Sequence, residues 1–183
     1  MSVKEGLGCS KAQLIVYIAN TPPMLEYQQL KTISPMVQGE ISVIGKQCGN
    51  GWRKVFNVYA KLLFALSDHR YNFSTLAPTW QLFRDNYLLQ QESNTALVFS
   101  PPHFEITNSN CLASKTKAIH LIMGRTYAKA LVNSGQILPP LTWLNDEFAI
   151  NTESCIIVCP YFDYRQLSNN KIVYLAELIN KLS

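Results

Sequence analysis

The sequence lacks the long apolar run that a membrane-spanning helix requires. Such a helix needs about 18 consecutive apolar residues, and no stretch of the 183 residues approaches that length. The first ten residues also lack the apolar segment of a signal peptide. We therefore expect a soluble, cytoplasmic protein with no membrane partner.

The five cysteines lack the spacing of a disulfide framework or a metal site. Their number is odd and they are scattered along the chain, at Cys9, Cys48, Cys111, Cys155 and Cys159. Four residues apart on a strand, Cys155 and Cys159 would lie about 13 Å from each other, which is too far for a disulfide. No second close pair completes a metal site. We expect reduced thiols, no metal and no cofactor.

Charged residues are scarce as well, and the net charge excludes few classes of function. Charged residues make up 15% of the chain and hydrophobic residues 48%, which is a globular composition. Sixteen basic and twelve acidic residues give a net charge of +4, an excess compatible with nucleic-acid binding but common in other proteins. The length suits a single domain over residues 1–183, with a frayed, polar segment at 1–12.

Four short apolar runs, rich in β-branched residues, predict strands at 14–19, 95–99, 118–123 and 155–158. Apolar residues at helical spacing predict helices between and after them, over 51–68, 78–88, 125–131 and 170–182. This alternation predicts a three-layer α/β/α domain around a central, largely parallel, four-stranded sheet. The segment 24–51 is less regular: Glu26 to Leu30 suits a helical turn, and 41–44 suits either a short strand or a loop.

The candidate site residues follow the predicted strands. Ligands of α/β folds bind outside the carboxyl ends of the strands, and prolines there hold loops stiffly. We expect one concavity to be lined by the residues that follow these strand ends: Asn20, Pro22, Pro101, His103, Gly124, Arg125, Cys159, Tyr161 and Arg165.

Most of these residues have a second, structural interpretation. His103 suits a base or donor, and equally a surface histidine. Cys159 suits a pocket thiol or a small core residue. Arg125 and Arg165 suit phosphate binding at helix starts or surface ion pairs. The aromatic residues around Tyr161 suit base stacking or packing.

Three segments together resemble a known family. The loop Cys159-Pro160-Tyr161-Phe162-Asp163-Tyr164-Arg165 is similar to the His-Pro-Ser-x-x-x-Arg loop of bacterial uracil-DNA glycosylases of the iron–sulfur type. Residues 19–23 resemble the Gly-Glu-x-Pro-Gly loop after their first strand, and residues 118–131 resemble their central strand–glycine–helix unit. The resemblance implies a uracil-DNA glycosylase-like fold and a DNA or nucleobase ligand.

The departures from that family concern its catalytic groups. Cys159 stands where the family has the histidine that stabilises charge on the departing uracil, and a thiol is a much weaker donor. Asn20 stands at the polar position of the first loop, as in the mismatch-specific branch. Cysteines with the iron–sulfur spacing are lacking. The resemblance therefore implies a reduced catalytic set of Asn20, Cys159 and, from its place, His103.

Three functions remain open at this point. The first is a nucleobase- or nucleic-acid-binding domain with a degenerate catalytic site. The second is an active N-glycosidic bond hydrolase with a non-standard site, although Glu26 and Glu105 are the only carboxylates near the strand ends. The third is a protein-interaction domain that keeps only the fold.

Overall fold

The chain forms an α/β structure around one mixed sheet. In this computed structural model the described residues are 5–66, 70–104 and 117–182. They contain eight strands: β1 Gly6–Gly8, β2 Leu14–Tyr17, β3 Ile33–Ser34, β4 Thr95–Val98, β5 Ile119–Met123, β6 Thr142–Trp143, β7 Ala149–Asn151 and β8 Ile156–Cys159. The order across the sheet is β3-β1-β4-β2-β5-β8-β7-β6.

The four predicted strands lie side by side at the centre of this sheet. β2 pairs in parallel with both β4 and β5, and β5 pairs in parallel with β8. The predicted number of strands was wrong, because the described residues add two strands at each edge. β1 and β7 join antiparallel to the central four. Each added strand has only two or three residues, too few to show an apolar alternation.

Six α-helices occur among the described residues: α1 Leu25–Gln28, α2 Glu40–Gln47, α3 Asn50–Ala65, α4 Trp80–Asn86, α5 Arg125–Asn133 and α6 Asn169–Leu182. The prediction of a strand or loop at 41–44 was wrong. This β-branched run is helical in α2, where Ile41 and Ile44, three residues apart, are both buried against the core.

Helices cover both faces of the sheet. Side chains alternate along β2, so that Leu14 and Val16 join the core cluster that includes α3 and α6. Ile15 and Tyr17 join a second cluster with Ala128 of α5. Strands buried on both faces are apolar throughout, which is why the four central runs were recognisable in the sequence.

The prediction of a frayed segment over 1–12 was wrong for Gly6–Gly8, which form a strand. Gly6–Gly8 form β1, which lies against β4. A Cβ atom added at Gly6 would collide with the backbone of Leu97, and one added at Gly8 with the backbone of Thr95. The two glycines are therefore needed for the close approach of this strand. No helix in the described ranges is both long and apolar enough to cross a membrane.

Candidate functional site at the carboxyl edge of the sheet

The strand order reverses between β2 and β5, and we call the region outside the carboxyl ends of these two strands the crevice. The central strands occur along the chain as β2, β4, β5 and β8, yet β2 lies between β4 and β5 in the sheet. The chain therefore runs first to one side of β2 and later adds strands on its other side. In open α/β sheets ligands bind outside the carboxyl ends of the strands at such a reversal. The topology thus favours a site at the loops after β2 and β5.

Asn20 and Tyr161 meet across the end of β5. Asn20 follows β2, Tyr161 follows β8, and the Asn20 side chain lies close enough to the Tyr161 hydroxyl to affect its pKa. Burial raises the pKa of Tyr161, and the contact with Asn20 acts in the opposite direction. The Asn20 carboxamide and the Tyr161 hydroxyl can each donate and accept hydrogen bonds, so the two together offer a ligand both a donor and an acceptor. Asn20 is exposed, so a ligand has access to this pair.

Gly124 turns the chain from β5 into α5. Its φ of 103° lies in the region that side chains rarely adopt, and its N–H donates to the Cys159 carbonyl oxygen over 2.8 Å. The next residue, Arg125, points to the sheet edge instead of the crevice. Its guanidinium lies 5.7 Å from the centre of the Trp143 ring and 3.9 Å from a carboxylate oxygen of Asp146. Arg125 therefore forms surface contacts and an ion pair, which is the structural interpretation of this residue.

Asp163 organises the loop that follows β8. Its carboxylate accepts a bond of 2.7 Å from Lys54 of α3 and another of 2.9 Å from the backbone N–H of Arg165. These two bonds, with the Lys54 bond the larger cause, lower the pKa of Asp163. Lys54 also lies 4.8 Å from the centre of the exposed Tyr164 ring. The loop that carries Tyr161 and Arg165 is therefore tied to the first turns of α3.

Cys159 does not line the site. Its side chain is fully buried in the core, and its thiol lies 3.8 Å from the carbonyl oxygen of Ile122. Burial raises the pKa of the thiol well above its usual value, so it stays protonated. Of the two interpretations of Cys159, the small core residue is the one that the structure supports, and a catalytic role in contact with ligand is withdrawn.

His103 lies where the chain leaves the edge and turns over one face of the sheet. The next residue, Phe104, packs with its ring centre 4.8 Å from that of His120 and 6.0 Å from that of Tyr17. His120 in turn hydrogen-bonds to the Tyr17 hydroxyl over 3.1 Å. His103 is exposed beside this packed group, and it remains a candidate on position alone.

The prolines differ in how they hold their loops. Pro22 and Pro160 are buried, whereas Pro101 is exposed and its neighbour Pro102 is buried. The loops after β2 and β8 are thus anchored directly at the crevice. Glu105, one of the two carboxylates near the strand ends, lies outside the described residues.

Sequence reasoning missed two features of this edge. The Lys54–Asp163 pair joins residues 109 positions apart, and no local pattern signals such a contact. Trp143 has two cations near its ring, with Arg125 and Lys129 each 5.7 Å from the ring centre. The sequence signal for the exposure of the Trp143 side chain was its position after a proline-rich loop.

These features define an open α/β protein with polar side chains at the carboxyl edge of its sheet. The described residues contain no cluster of three or more His, Cys, Asp or Glu side chains that could hold a metal ion. The chain belongs to a family of unknown function, DUF6942, whose profile matches residues 5–180. No curated protein and no solved structure gave a match.

Proposed function

We propose that this chain is a uracil-DNA glycosylase-like domain that binds a nucleobase, within nucleic acid, at the crevice between β2 and β5. The observation that carries the proposal is the pairing of Asn20 with Tyr161 at that crevice. The three segments that carry the family resemblance are also contiguous in space, because they follow the adjacent strands β2, β5 and β8.

The chemistry of the pair suits the edge of a base. An acceptor beside a donor is complementary to a neighbouring N–H and C=O on the ligand, an arrangement that uracil, thymine and guanine share. Side-chain amides read bases through such paired bonds. Arg165 and the Tyr164 ring lie on the loop that follows, and the Lys54 ammonium of α3 is bonded to that loop; there they would contact phosphate and base faces.

The same site argues against efficient base excision. The departing base gains negative charge that a positioned donor must stabilise, and loss of one such donor costs roughly 10²–10³ in rate. Cys159 stands at the position of the family histidine, and its buried thiol cannot reach a ligand in this structure. We therefore propose a binding domain with little or no glycosylase activity.

The test is fluorescence anisotropy with labelled single-stranded oligonucleotides, one containing uracil, and with a mismatched duplex. We expect weak, salt-sensitive binding. Asn20→Ala should weaken it about two- to tenfold, the value of one or two net hydrogen bonds, and Tyr161→Phe should weaken it less. Asn133→Ala, an exposed asparagine at the far end of α5, serves as the matched control and should bind as the wild type does.

Other outcomes assign the other functions. Robust release of uracil by the wild-type protein would establish an active hydrolase and refute the degenerate site. Absence of nucleic-acid binding, or binding that Asn20→Ala leaves unchanged, would refute the proposal. Salt-independent capture of a protein partner would then support an interaction domain.

A further inference from the structure

A second concave region lies at the opposite, amino edge of the sheet. It is a cavity of about 510 Å³, within the usual range for small-molecule sites. Asn94 lies directly before β4, and Arg70 bonds to Gln13 and Lys117, which precede β2 and β5. Because these strands are parallel, the cavity is separated from the crevice by the length of the sheet.

The lining is rich in carboxamides and poor in charge. It contains five carboxamide side chains, together with one arginine and one carboxylate: Asn72, Asn86, Gln90, Gln91, Asn94, Arg70 and Glu92. A carboxamide both donates and accepts hydrogen bonds. A lining of this kind matches a neutral ligand whose own polar groups also both donate and accept hydrogen bonds.

Several of these groups are already oriented by the protein. Asn86 accepts a bond from Gln38 through its Oδ1 atom, so its amide nitrogen is left to donate. Gln90 donates through its Nε2 atom to the Asp85 carbonyl, so its Oε1 atom is left to accept. Asn94 accepts from the backbone N–H of Gln13, which again leaves donors. Donors and acceptors are thus fixed before any ligand binds, which lowers the entropic cost of binding.

An aromatic ring forms the apolar part of the wall. Tyr87 is 40% exposed, and one face of its ring is stacked on Phe83, with the ring centres 6.2 Å apart and an angle of 14° between the planes. The exposed part of Tyr87 lies in the cavity wall, where a ligand can contact it.

The backbone beside Tyr87 is strained. Of the four non-glycine residues with positive φ in the described ranges, three occur in the segment 89–94: Leu89, Glu92 and Asn94, with φ values of 58°, 64° and 58°. Such conformations cost free energy and persist where the surroundings impose them, often at binding sites. Glu92 and Asn94 line the cavity.

We propose that this cavity binds a neutral carbohydrate. Sugar hydroxyls both donate and accept, as the carboxamides do, and the C–H face of a sugar ring packs on an aromatic face such as that of Tyr87. A single arginine balanced by Glu92 disfavours an anionic ligand. The proposal does not depend on the function assigned to the opposite edge.

The test is a ¹⁵N-HSQC titration of the whole chain with glucose, galactose, mannose, N-acetylglucosamine, maltose and cellobiose, each to millimolar concentration. We expect at least one of them to shift the amide signals of residues 86–94. Tyr87→Ala should weaken the binding of that sugar about two- to tenfold, while Tyr87→Phe should retain the binding because the ring face remains. Gln91→Ala, an exposed position on the cavity wall, gives a second variant if Tyr87→Ala fails to fold. Gln81→Ala, exposed on α4 outside the cavity, is the control.

Three results would overturn the proposal. The first is that none of the six sugars shifts residues 86–94, or that neither Tyr87→Ala nor Gln91→Ala changes the affinity. The second is that uridine or adenosine binds there in their place, which would assign a flat heterocycle. The third is that glucose 6-phosphate binds more tightly than glucose, which would assign an anion site at Arg70. Nucleic-acid binding at the crevice should be unchanged in both variants, so failure here is distinguishable from failure there.

Discussion

Removing the Asp163 carboxylate should both destabilise the protein and loosen the loop that carries Tyr161. The carboxylate makes one bond of 2.7 Å to Lys54 and one of 2.9 Å to the Arg165 N–H. The Lys54 and Asp163 side chains are 18% and 21% exposed, so solvent screens the pair only in part. A hydrogen bond to a charged group contributes about 1.5–3 kcal/mol, and an exposed ion pair at most about 1 kcal/mol.

Two substitutions separate these bonds. Asp163→Asn keeps an oxygen for the Arg165 N–H and loses the charge, so we expect a loss of about 1 kcal/mol. Asp163→Ala loses both bonds, and we expect about 2–3 kcal/mol. For a chain of this size 1 kcal/mol corresponds to a change in Tm of about 2–4 °C. Urea denaturation followed by tryptophan fluorescence measures both variants, and Lys54→Met completes a double-mutant cycle with Asp163→Asn.

The pH dependence of the free energy of unfolding tests the sign of the electrostatic contribution of Asp163. The pKa of Asp163 is lowered in the folded protein, so its contribution is fully present above the unfolded pKa, about 3.9. It is lost as the pH falls through the lower, folded value. The difference between wild type and Asp163→Asn should therefore shrink in acid. Equal losses for the Asn and Ala variants, or a coupling energy near zero with Lys54→Met, would refute this account of the loop.

Two further predictions test burial and close packing. Cys159 should resist iodoacetamide in the folded protein and react only on unfolding, because its thiol is buried and protonated. Mass spectrometry of labelled peptides measures this reaction. Rapid labelling of Cys159 under native conditions would show that its thiol is accessible and would restore it as a candidate site residue. Gly6→Ala should lower the free energy of unfolding by about 1–3 kcal/mol because the methyl group meets the Leu97 backbone. Gly51→Ala in α3, where nothing lies within 4 Å, should instead stabilise the protein by about 0.5–1 kcal/mol. Thermal unfolding of the two variants measures both effects, and equal effects would contradict the packing of β1.

The centre of the fold was predictable because its physical cause is local. Strands buried on both faces are mostly apolar, and the runs at 14–19, 95–99, 118–123 and 155–158 are apolar apart from Thr95 and His120. The edge strands were missed because a strand of two or three residues carries no periodicity. The run at 41–44 was misjudged because burial against α3 outweighs the β propensity of isoleucine and valine.

The candidate site was predictable only as a set of positions. Strand ends indicated the edge, and Asn20 and Tyr161 do meet there. The direction of a side chain at a strand end depends on a register that sequence alone does not fix. That is why Cys159, predicted at the site, faces the core, while Tyr161, two residues later, reaches Asn20. The partners of Arg125 and Asp163 come from distant segments and had no sequence signal.

The central position of β2 bears on how the chain folds. This strand comes early in the sequence, yet its partners come late: Gln13 bonds to Asn94, 81 residues away, and Tyr17 to His120, 103 residues away. Contacts this distant make folding slow, since the entropy of closing a long loop is lost before the contact forms. During synthesis the apolar run 14–19 therefore stays unpaired until β4 and β5 have been made. An unpaired apolar strand is a site of aggregation, so over-expression at low temperature or with chaperones should favour soluble protein, and C-terminal truncations before residue 124 should be insoluble.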